Sequence, residues 1–285
     1  MSIILEHVSY TYQPQTPYEV PALTDISLEI REGEFIGIIG HTGSGKSTLI
    51  QHFNGLLKPN SGTVEVDGLQ TTAEPGTLKR IRQKVGLVFQ YPEHQLFDET
   101  VYQDIAFGPV NLGLDGDQTR ERVRRAMEMV RLDFAQYKDL SPFVLSGGEK
   151  RRAAIAGVLA MDPRYLILDE PTAGLDPRGR DEIMEQIRDL HRQGMAVVFV
   201  THSMDDVART AQRLIVVSQG KIVYNDVTGQ VFAHHAELER IGLDVPHVMK
   251  LMLDLRAKGL KVRADILTVE EARREIARVL RGGDA

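Results

Sequence analysis

The sequence predicts an α/β fold built on a mostly parallel sheet covered on both faces. Two observations predict it. In the second half of the chain, apolar runs at 165–169, 195–200 and 213–218 alternate with helical patterns at 179–193 and 204–211. Strands and helices alternating at these lengths pack as a parallel sheet with both faces buried. Nearer the start, Phe35-Ile36-Gly37-Ile38-Ile39 is a short, β-branched, wholly apolar run. That is the pattern of a buried strand, and it leads straight into a glycine-rich turn and a helix.

Taken in order, residues 3–12 and 20–35 read as strands, with Ile4, Val8 and Tyr10, then Leu23, Ile26, Leu28 and Ile30, in near alternation. The proline-containing stretch between them reads as a loop. A helix over 48–53 follows the glycine-rich turn and stops at Asn54-Gly55, a good C-terminal signal. Pro59-Asn60-Ser61-Gly62 is a turn, 63–67 a strand, and 85–89 a short apolar strand ending at Gln90. From 91 to 160 helical patterns dominate, with candidates at 101–107, 119–132 and 149–161, so a helical insertion is expected. Gly194 closes the helix at 179–193, and a last strand is expected at 221–225. Beyond about Val227 the chain turns helical and modestly amphipathic. Pro246 suits a first helical turn, and Thr268-Val269-Glu270-Glu271 is a capping box. It opens a helix with Val269, Ala272, Ile276, Val279 and Leu280 at helical spacing. The expected organisation is a domain over 1–226, carrying the insertion at about 91–160, and a helical appendage over 227–285.

Composition narrows the class. Among 285 residues there are 34 Lys and Arg against 40 Asp and Glu, a net charge of −6, so nucleic acid is not a favoured partner. The Arg pairs at 124–125, 151–152 and 273–274 sit in helical patterns and read as solvated faces. The absence of cysteine fits a reducing compartment. Residues 1–6 lack the charged and apolar regions of a signal peptide, and no apolar run approaches the roughly 18 residues that span a bilayer. A soluble chain is expected, reaching any membrane through a partner.

The glycine-rich turn is Gly40-His41-Thr42-Gly43-Ser44-Gly45-Lys46-Ser47-Thr48, which fits G-x-x-x-x-G-K-[ST]. Glycines let the backbone turn tightly, so N–H groups converge on an anion at a helix N-terminus. Lys46 can then reach the β- and γ-phosphates of a nucleotide, and the Ser47 hydroxyl can ligate Mg²⁺. Such a site needs a second carboxylate-bearing strand, and Tyr165-Leu166-Ile167-Leu168-Asp169-Glu170 supplies it. Asp169 is placed to hold Mg²⁺ and Glu170 to activate the attacking water. By itself an apolar run ending in two acids is more often a strand entering a polar loop; the pairing gives it meaning.

With these motifs stands Leu145-Ser146-Gly147-Gly148-Glu149, opening a helix; Leu145 lies 99 residues after Lys46 and Glu149 lies 20 before Asp169. Ser146 is a good N-cap, and the two glycines leave N–H groups bare at a positive helix end. Over residues 3 to about 225 the chain resembles the ABC-type ATPases. The resemblance implies a P-loop ATPase core with an antiparallel β subdomain and a helical subdomain, beside the small C-terminal helical appendage, which would serve dimerisation. It implies ATP and Mg²⁺, and a head-to-tail dimer in which Ser146, Gly147, Gly148 and Glu149 bind the γ-phosphate held by the other protomer. Gln90 matches the glutamine that contacts Mg²⁺ and moves with the transport partner. Asp176, in Gly174-Leu175-Asp176, matches the loop that crosses the dimer seam, and His202 the histidine that touches the γ-phosphate. Tyr12 is the candidate to stack on adenine, with Tyr10 in reserve. The signature usually ends in Gln, and Glu149 departs from it by adding negative charge near a polyanion.

Phe89-Gln90-Tyr91-Pro92-Glu93-His94-Gln95-Leu96-Phe97 narrows the resemblance to energy-coupling factor (ECF) transporters, which import vitamins and transition-metal ions, and to the second of their two ATPases. That implies a paralogous ATPase or a second copy as partner. It also implies a membrane coupling protein gripped through about Gln90 to Phe97, a substrate-binding membrane subunit reached indirectly, and a place at the cytoplasmic face of the membrane. An ordinary or transition-metal ABC importer shares every catalytic motif, and a soluble ABC ATPase acting on ribosomes or DNA is the reading from another class. The latter usually fuses two ATPase units or carries long coiled coils, and this chain has neither.

Overall fold

A computed structural model describes residues 1–281. Alternation of buried and exposed side chains builds its first layer. β1 (Ser2–Tyr12) runs antiparallel to β2 (Val20–Arg31) and β4 (Ser61–Val66), and the short β5 (Leu69–Gln70) completes a sheet of order β2-β1-β4-β5. In β1 the inward residues Ile3, Leu5 and Val8 break strict alternation. A register shift between Leu5 and Val8, with His7 at φ +51°, absorbs the extra residue and keeps Val8 inside. The expected strand at 20–35 ends early, because Gly33 at φ +77° turns the chain between β2 and β3 (Phe35–Ile39).

The second sheet has the order β10-β9-β3-β8-β7-β6. β3 lies between β8 (Ala196–Val200) and β9 (Arg213–Ser218), and β7 (Tyr165–Asp169) between β8 and β6 (Val85–Val88), all parallel. Only β10 (Lys221–Val227), joined to β9 by a tight turn, is antiparallel. Every residue of β3, β6, β7 and β8 is buried, as expected for parallel strands covered on both faces. Their side chains divide between two cores. Ile36, Ile38, Tyr165 and Val198 join Leu49, Ile50 and Phe53 of α1 (Lys46–Phe53) and the antiparallel sheet. Phe35, Ile39, Leu168 and Phe199 meet the helices of the opposite face.

Those helices include α3 (Val101–Leu112), α4 (Gly116–Met129), the single turn α5 (Phe134–Tyr137), α6 (Gly147–Leu159), α7 (Pro177–Arg192) and α8 (Met204–Thr210). One element escapes the sequence reading, and another, expected over 101–107, runs further than it predicts. α2 (Pro75–Lys84) buries only Ile81, so it carries almost no apolar period. α3 runs past Pro109 and stops at Gly113, at φ +91°, where the glycine caps it.

The C-terminal region holds α9 (Thr228–Ala233), α10 (His235–Arg240), α11 (His247–Ala257) and α12 (Val269–Leu280). Pro246 is the N-cap of α11 rather than part of its first turn. Thr268 and Glu271 form the expected capping box of α12, whose Ala272 joins a small core of Met252, Val262 and Ile266. Val269 and Leu280 do not join it. They are 65% and 73% exposed, because they sit at the two ends of a helix longer than the core it packs on. The appendage expected over 227–285 ends in four residues that lie outside the described ones. Among the described residues no helix is long and apolar enough to cross a membrane.

Candidate functional site

The phosphate-loop motif forms the turn between β3 and α1. Gly45, the N-cap of α1, has φ +104°, and no side chain caps this helix start. Its first N–H groups are therefore unclaimed and point at whatever anion sits in the loop. Glycine is required here by space as well as by φ. A Cβ on Gly40 would stand 2.2 Å from the Val217 carbonyl oxygen, and one on Gly45 2.5 Å from that of Ala22. Gly43 also has positive φ, and Ser44, fully buried, leaves its Oγ without a partner. His41 Nδ1 lies 2.8 Å from the Thr42 carbonyl oxygen, and Thr42 itself is exposed. Lys46 Nζ folds back across the loop, donating to the carbonyl oxygens of Gly40 (2.7 Å) and His41 (3.0 Å). Burial lowers its pKa, against the opposing pull of Glu170 and Asp169. An anion at the loop would offer the ammonium a better partner than two carbonyls. Lys46→Ala is accordingly expected to weaken nucleoside-triphosphate binding roughly 10- to 100-fold, the worth of one charged hydrogen bond. Titration calorimetry checks this, and unchanged affinity would remove Lys46 from the site.

Tyr12 stands beside the same helix, its hydroxyl 3.1 Å from Thr48 Oγ1 and its ring edge-on to Tyr10 at 4.9 Å. Tyr12 is the exposed ring of the pair. Tyr10 packs against the core and edge-on to His52, which leaves it a brace rather than a reserve platform.

The two acids sit one strand removed. Asp169 ends β7, is buried, and is held above the usual carboxylate range, first by desolvation and also by the charge of Glu170. The Ser47 hydroxyl acts the other way, favouring its ionised form. Glu170 leaves the strand at φ +49°, a conformation that costs a non-glycine residue energy and recurs at functional sites. Its N–H holds the Val200 carbonyl oxygen at 2.9 Å, pinning it to the end of β8. Beyond that end His202, whose side chain is 78% exposed, places Nδ1 2.9 Å from Glu170 Oε2. The contact lacks hydrogen-bond alignment, so Oε2 remains buried with no donor. An unsatisfied carboxylate oxygen at the rim of a phosphate site can accept a proton from water.

Gln90 lies two residues past β6, the strand beside β7, and is exposed. Tyr91 follows at φ +54°, then a 3₁₀ turn over Pro92–Gln95. Asp176 is the N-cap of α7, accepting from the Gly179 N–H at 3.0 Å. Ser146 caps α6 in a full capping box with Glu149, and Tyr137 donates to the other carboxylate oxygen of Glu149 at 2.8 Å. Gly147 has open space around it. Among the described residues, no hydrogen bond, ion pair or ring contact joins residues 145–149 to the phosphate loop. The structure thus gathers Tyr12, the loop, Asp169, Glu170 and His202, and leaves the signature segment apart from them.

One expectation fails outright. The Arg pair at 151–152 does not lie on a solvated face: Arg151 is 1% exposed. It donates from Nε and Nη2 to both oxygens of Glu93 (3.1 and 2.8 Å), and from Nη1 to the carbonyl oxygens of Pro171 (3.0 Å) and Ala173 (2.8 Å). One guanidinium therefore ties the signature helix to the turn after Gln90 and to the loop after Glu170. The signal was present in the spacing, since Arg151 stands four and eight residues before the buried Ile155 and Leu159. Sequence reasoning also missed α2, which with α3 and α6 walls a groove of about 650 Å³. Phe97 and Phe107 line it and meet edge-on at 5.3 Å, each more than half exposed. At its side Asp104 Oδ1 accepts from the Phe97 and Asp98 N–H groups, while Oδ2 is buried without a partner.

Comparison with known proteins agrees in one direction. The family described as ABC transporter matches residues 23–173. The energy-coupling factor transporter ATP-binding protein EcfA2 of Clostridium tetani is 52% identical over 98% of this chain and 97% of its own length. Its namesake from Symbiobacterium thermophilum is 55% identical over 99% and 98%. Among solved structures, CbiO1 of Clostridium perfringens, part of the ABC transporter complex CbiONQ, has a TM-score of 0.74 at 38% identity, covering 88% of this chain and 98% of that one. A dimeric ATP-binding cassette in a post-hydrolysis state with ADP and Pi has a TM-score of 0.70 at 30% identity, covering 79% and 98%.

Proposed function

This chain belongs to the ABC transporter family, and within it to the ATP-binding subunits of energy-coupling factor transporters, and we propose that it works as one half of a head-to-tail ATPase dimer driving uptake of a micronutrient. It is an ATP-hydrolysing subunit of such a transporter. One observation carries the dimeric reading: the chain gathers a phosphate loop, metal acid and base, yet keeps its own signature segment out of contact with them. A bare helix N-terminus with no phosphate of its own has a use when another protomer supplies one. The solved dimeric cassette gives a precedent for that assembly.

Ser47 and Asp169 suit Mg²⁺, with Gln90 at hand just past the end of the neighbouring strand β6. Asp169 is a desolvated carboxylate whose ionised form a cation would stabilise. Among the described residues no cluster of three or more acidic or histidine side chains could hold a metal by itself, so phosphate oxygens would complete the ligand set. When bound, the ion supplies positive charge beside the transferring phosphoryl group. In hydrolysis, Glu170 Oε2 takes a proton from the water whose oxygen bonds to the γ-phosphorus as the bond to the β-phosphate oxygen breaks. His202, against Glu170, faces the same phosphate, and Lys46 and the α1 N–H groups hold the charge.

The groove between α2, α3 and α6 is the docking site for a helix of the membrane coupling protein, placing this chain at the cytoplasmic face of the membrane. Exposed Phe97 and Phe107 offer it apolar contact. Arg151, gripping Glu93 beside this groove and the loop after Glu170, gives docking a rigid path to the base. The partner ATPase is a paralogue or a second copy. The test is recovery of the tagged chain from its own membranes. A coupling protein should come with it, and Phe107→Glu should lose that partner at least tenfold while ATP binding stays within twofold. Recovery with ribosomes or DNA instead, or undiminished membrane capture by Phe107→Glu, would refute the assignment.

A further inference from the structure

The signature of this chain carries its own competitor for the proton it is meant to donate. Ser146 Oγ lies 2.6 Å from Glu149 Oε2. An ionised carboxylate has no proton to give, so the hydroxyl is the donor, and a serine has only one hydroxyl proton. The same Oε2 accepts the Ser146 backbone N–H at 2.8 Å, and Oγ receives only the weak return bond from the Glu149 N–H at 3.4 Å. Tyr137 fixes the other oxygen of the carboxylate from behind at 2.8 Å. These bonds, that with Ser146 foremost, hold Glu149 below the usual carboxylate range, so it is charged at neutral pH. A carboxylate three residues into a helix also offsets the positive end that would attract phosphate.

We propose that Glu149 is a brake on closure: by holding the Ser146 hydroxyl it withholds from the facing protomer's γ-phosphate a donor that the signature must supply. Closure then requires that hydroxyl to turn from one anion to another, with the Glu149 charge left beside the phosphate. A glutamine at this position would keep the capping box, since its amide oxygen accepts as the carboxylate does. It would hold the hydroxyl more weakly and carry no charge. Glu149 is in this sense a positioning residue that sets how much ATP closes the dimer. The inference rests on the head-to-tail arrangement proposed above.

The test separates the two. In the full-length Glu170→Gln chain, with whatever ATPase partner it retains on purification, the ATP concentration for half-maximal dimer closure is read by light scattering in Mg²⁺. Adding Glu149→Gln should lower that midpoint roughly three- to tenfold, the difference between a charged and a neutral acceptor. Tyr137→Phe, which frees the carboxylate to swing away, should lower it less, and should add nothing once Glu149→Gln is present. A midpoint unchanged or raised by Glu149→Gln, in protein that melts normally, would overturn the brake while leaving the dimer intact. No ATP-dependent dimer in the parental Glu170→Gln protein would overturn the head-to-tail arrangement, and the brake with it.

Discussion

Glu170→Gln is expected to reduce ATP hydrolysis by about 10²- to 10⁴-fold, the usual contribution of a positioned general base, while ATP affinity changes little. The glutamine keeps the size and the backbone path, so the strained turn at φ +49° and the bond to the Val200 carbonyl oxygen survive. What it loses is the ability of Oε2 to take a proton. That oxygen sits buried with no donor of its own, and His202 at 2.9 Å lies too far out of line to satisfy it. With binding intact and turnover stopped, ATP should accumulate in a closed dimer, seen as a shift in sedimentation that ADP does not produce. Hydrolysis within tenfold of the parent would move the base elsewhere and leave Glu170 a structural residue at the end of β7.

Arg151→Met should be the most destabilising single change in the signature helix, at about 3 kcal/mol. The guanidinium is out of water and makes four hydrogen bonds, two to Glu93 and two to carbonyl oxygens. Methionine fills much of the volume but orphans all four acceptors. Burial pushes the Glu93 carboxyl up, yet the Arg151 bonds outweigh it and hold the group below its usual range. A folded-state pKa that is depressed adds stability above the unfolded value and loses it as pH falls. The penalty of Arg151→Met should therefore be full at neutral pH and shrink in the acid range where Glu93 protonates. For a chain of this size the neutral-pH loss corresponds to roughly 6–12 °C in melting temperature. Pairing Arg151→Met with Glu93→Leu should recover part of it, because no carboxylate is then left stranded. A loss below about 1 kcal/mol in urea denaturation would show that the pair is dispensable to the fold. Turnover should suffer more than ATP affinity, since Pro171 and Ala173 lie just past Glu170.

The contrast between these two residues shows what could be read in advance. The place of Glu170 at the end of β7 was legible because its evidence is contiguous: four apolar residues commit β7 to the sheet, and the acids follow where a parallel strand must end. The phosphate loop was legible for the same reason, being a strand, a turn and a helix start within fourteen residues (35–48). Ser146 announced itself as a cap, and Thr268 did so again at α12. Arg151 was misread because its partners are distant: Glu93 lies 58 residues away and Pro171 20. A charged residue in a helix looks solvated until the tertiary structure supplies the acceptors that let it be buried. α2 escaped because only Ile81 of its ten residues is buried, too few to leave a period.

The sequence by itself determined the α/β order of elements, the phosphate-loop motif and the resemblance to a transport family, since each is written in local patterns of spacing, turn chemistry and capping. Tertiary structure decided the rest. It decided that Lys46 rests on carbonyl oxygens, that Tyr10 braces Tyr12, and that α2, α3 and α6 enclose a groove. It also decided that Glu149 holds the hydroxyl of Ser146 with Tyr137 behind it. The physical reason is one of range. A backbone conformation or a cap is fixed by neighbours a few residues away, whereas the partner of a buried charge or proton is whatever the fold brings within hydrogen-bonding distance.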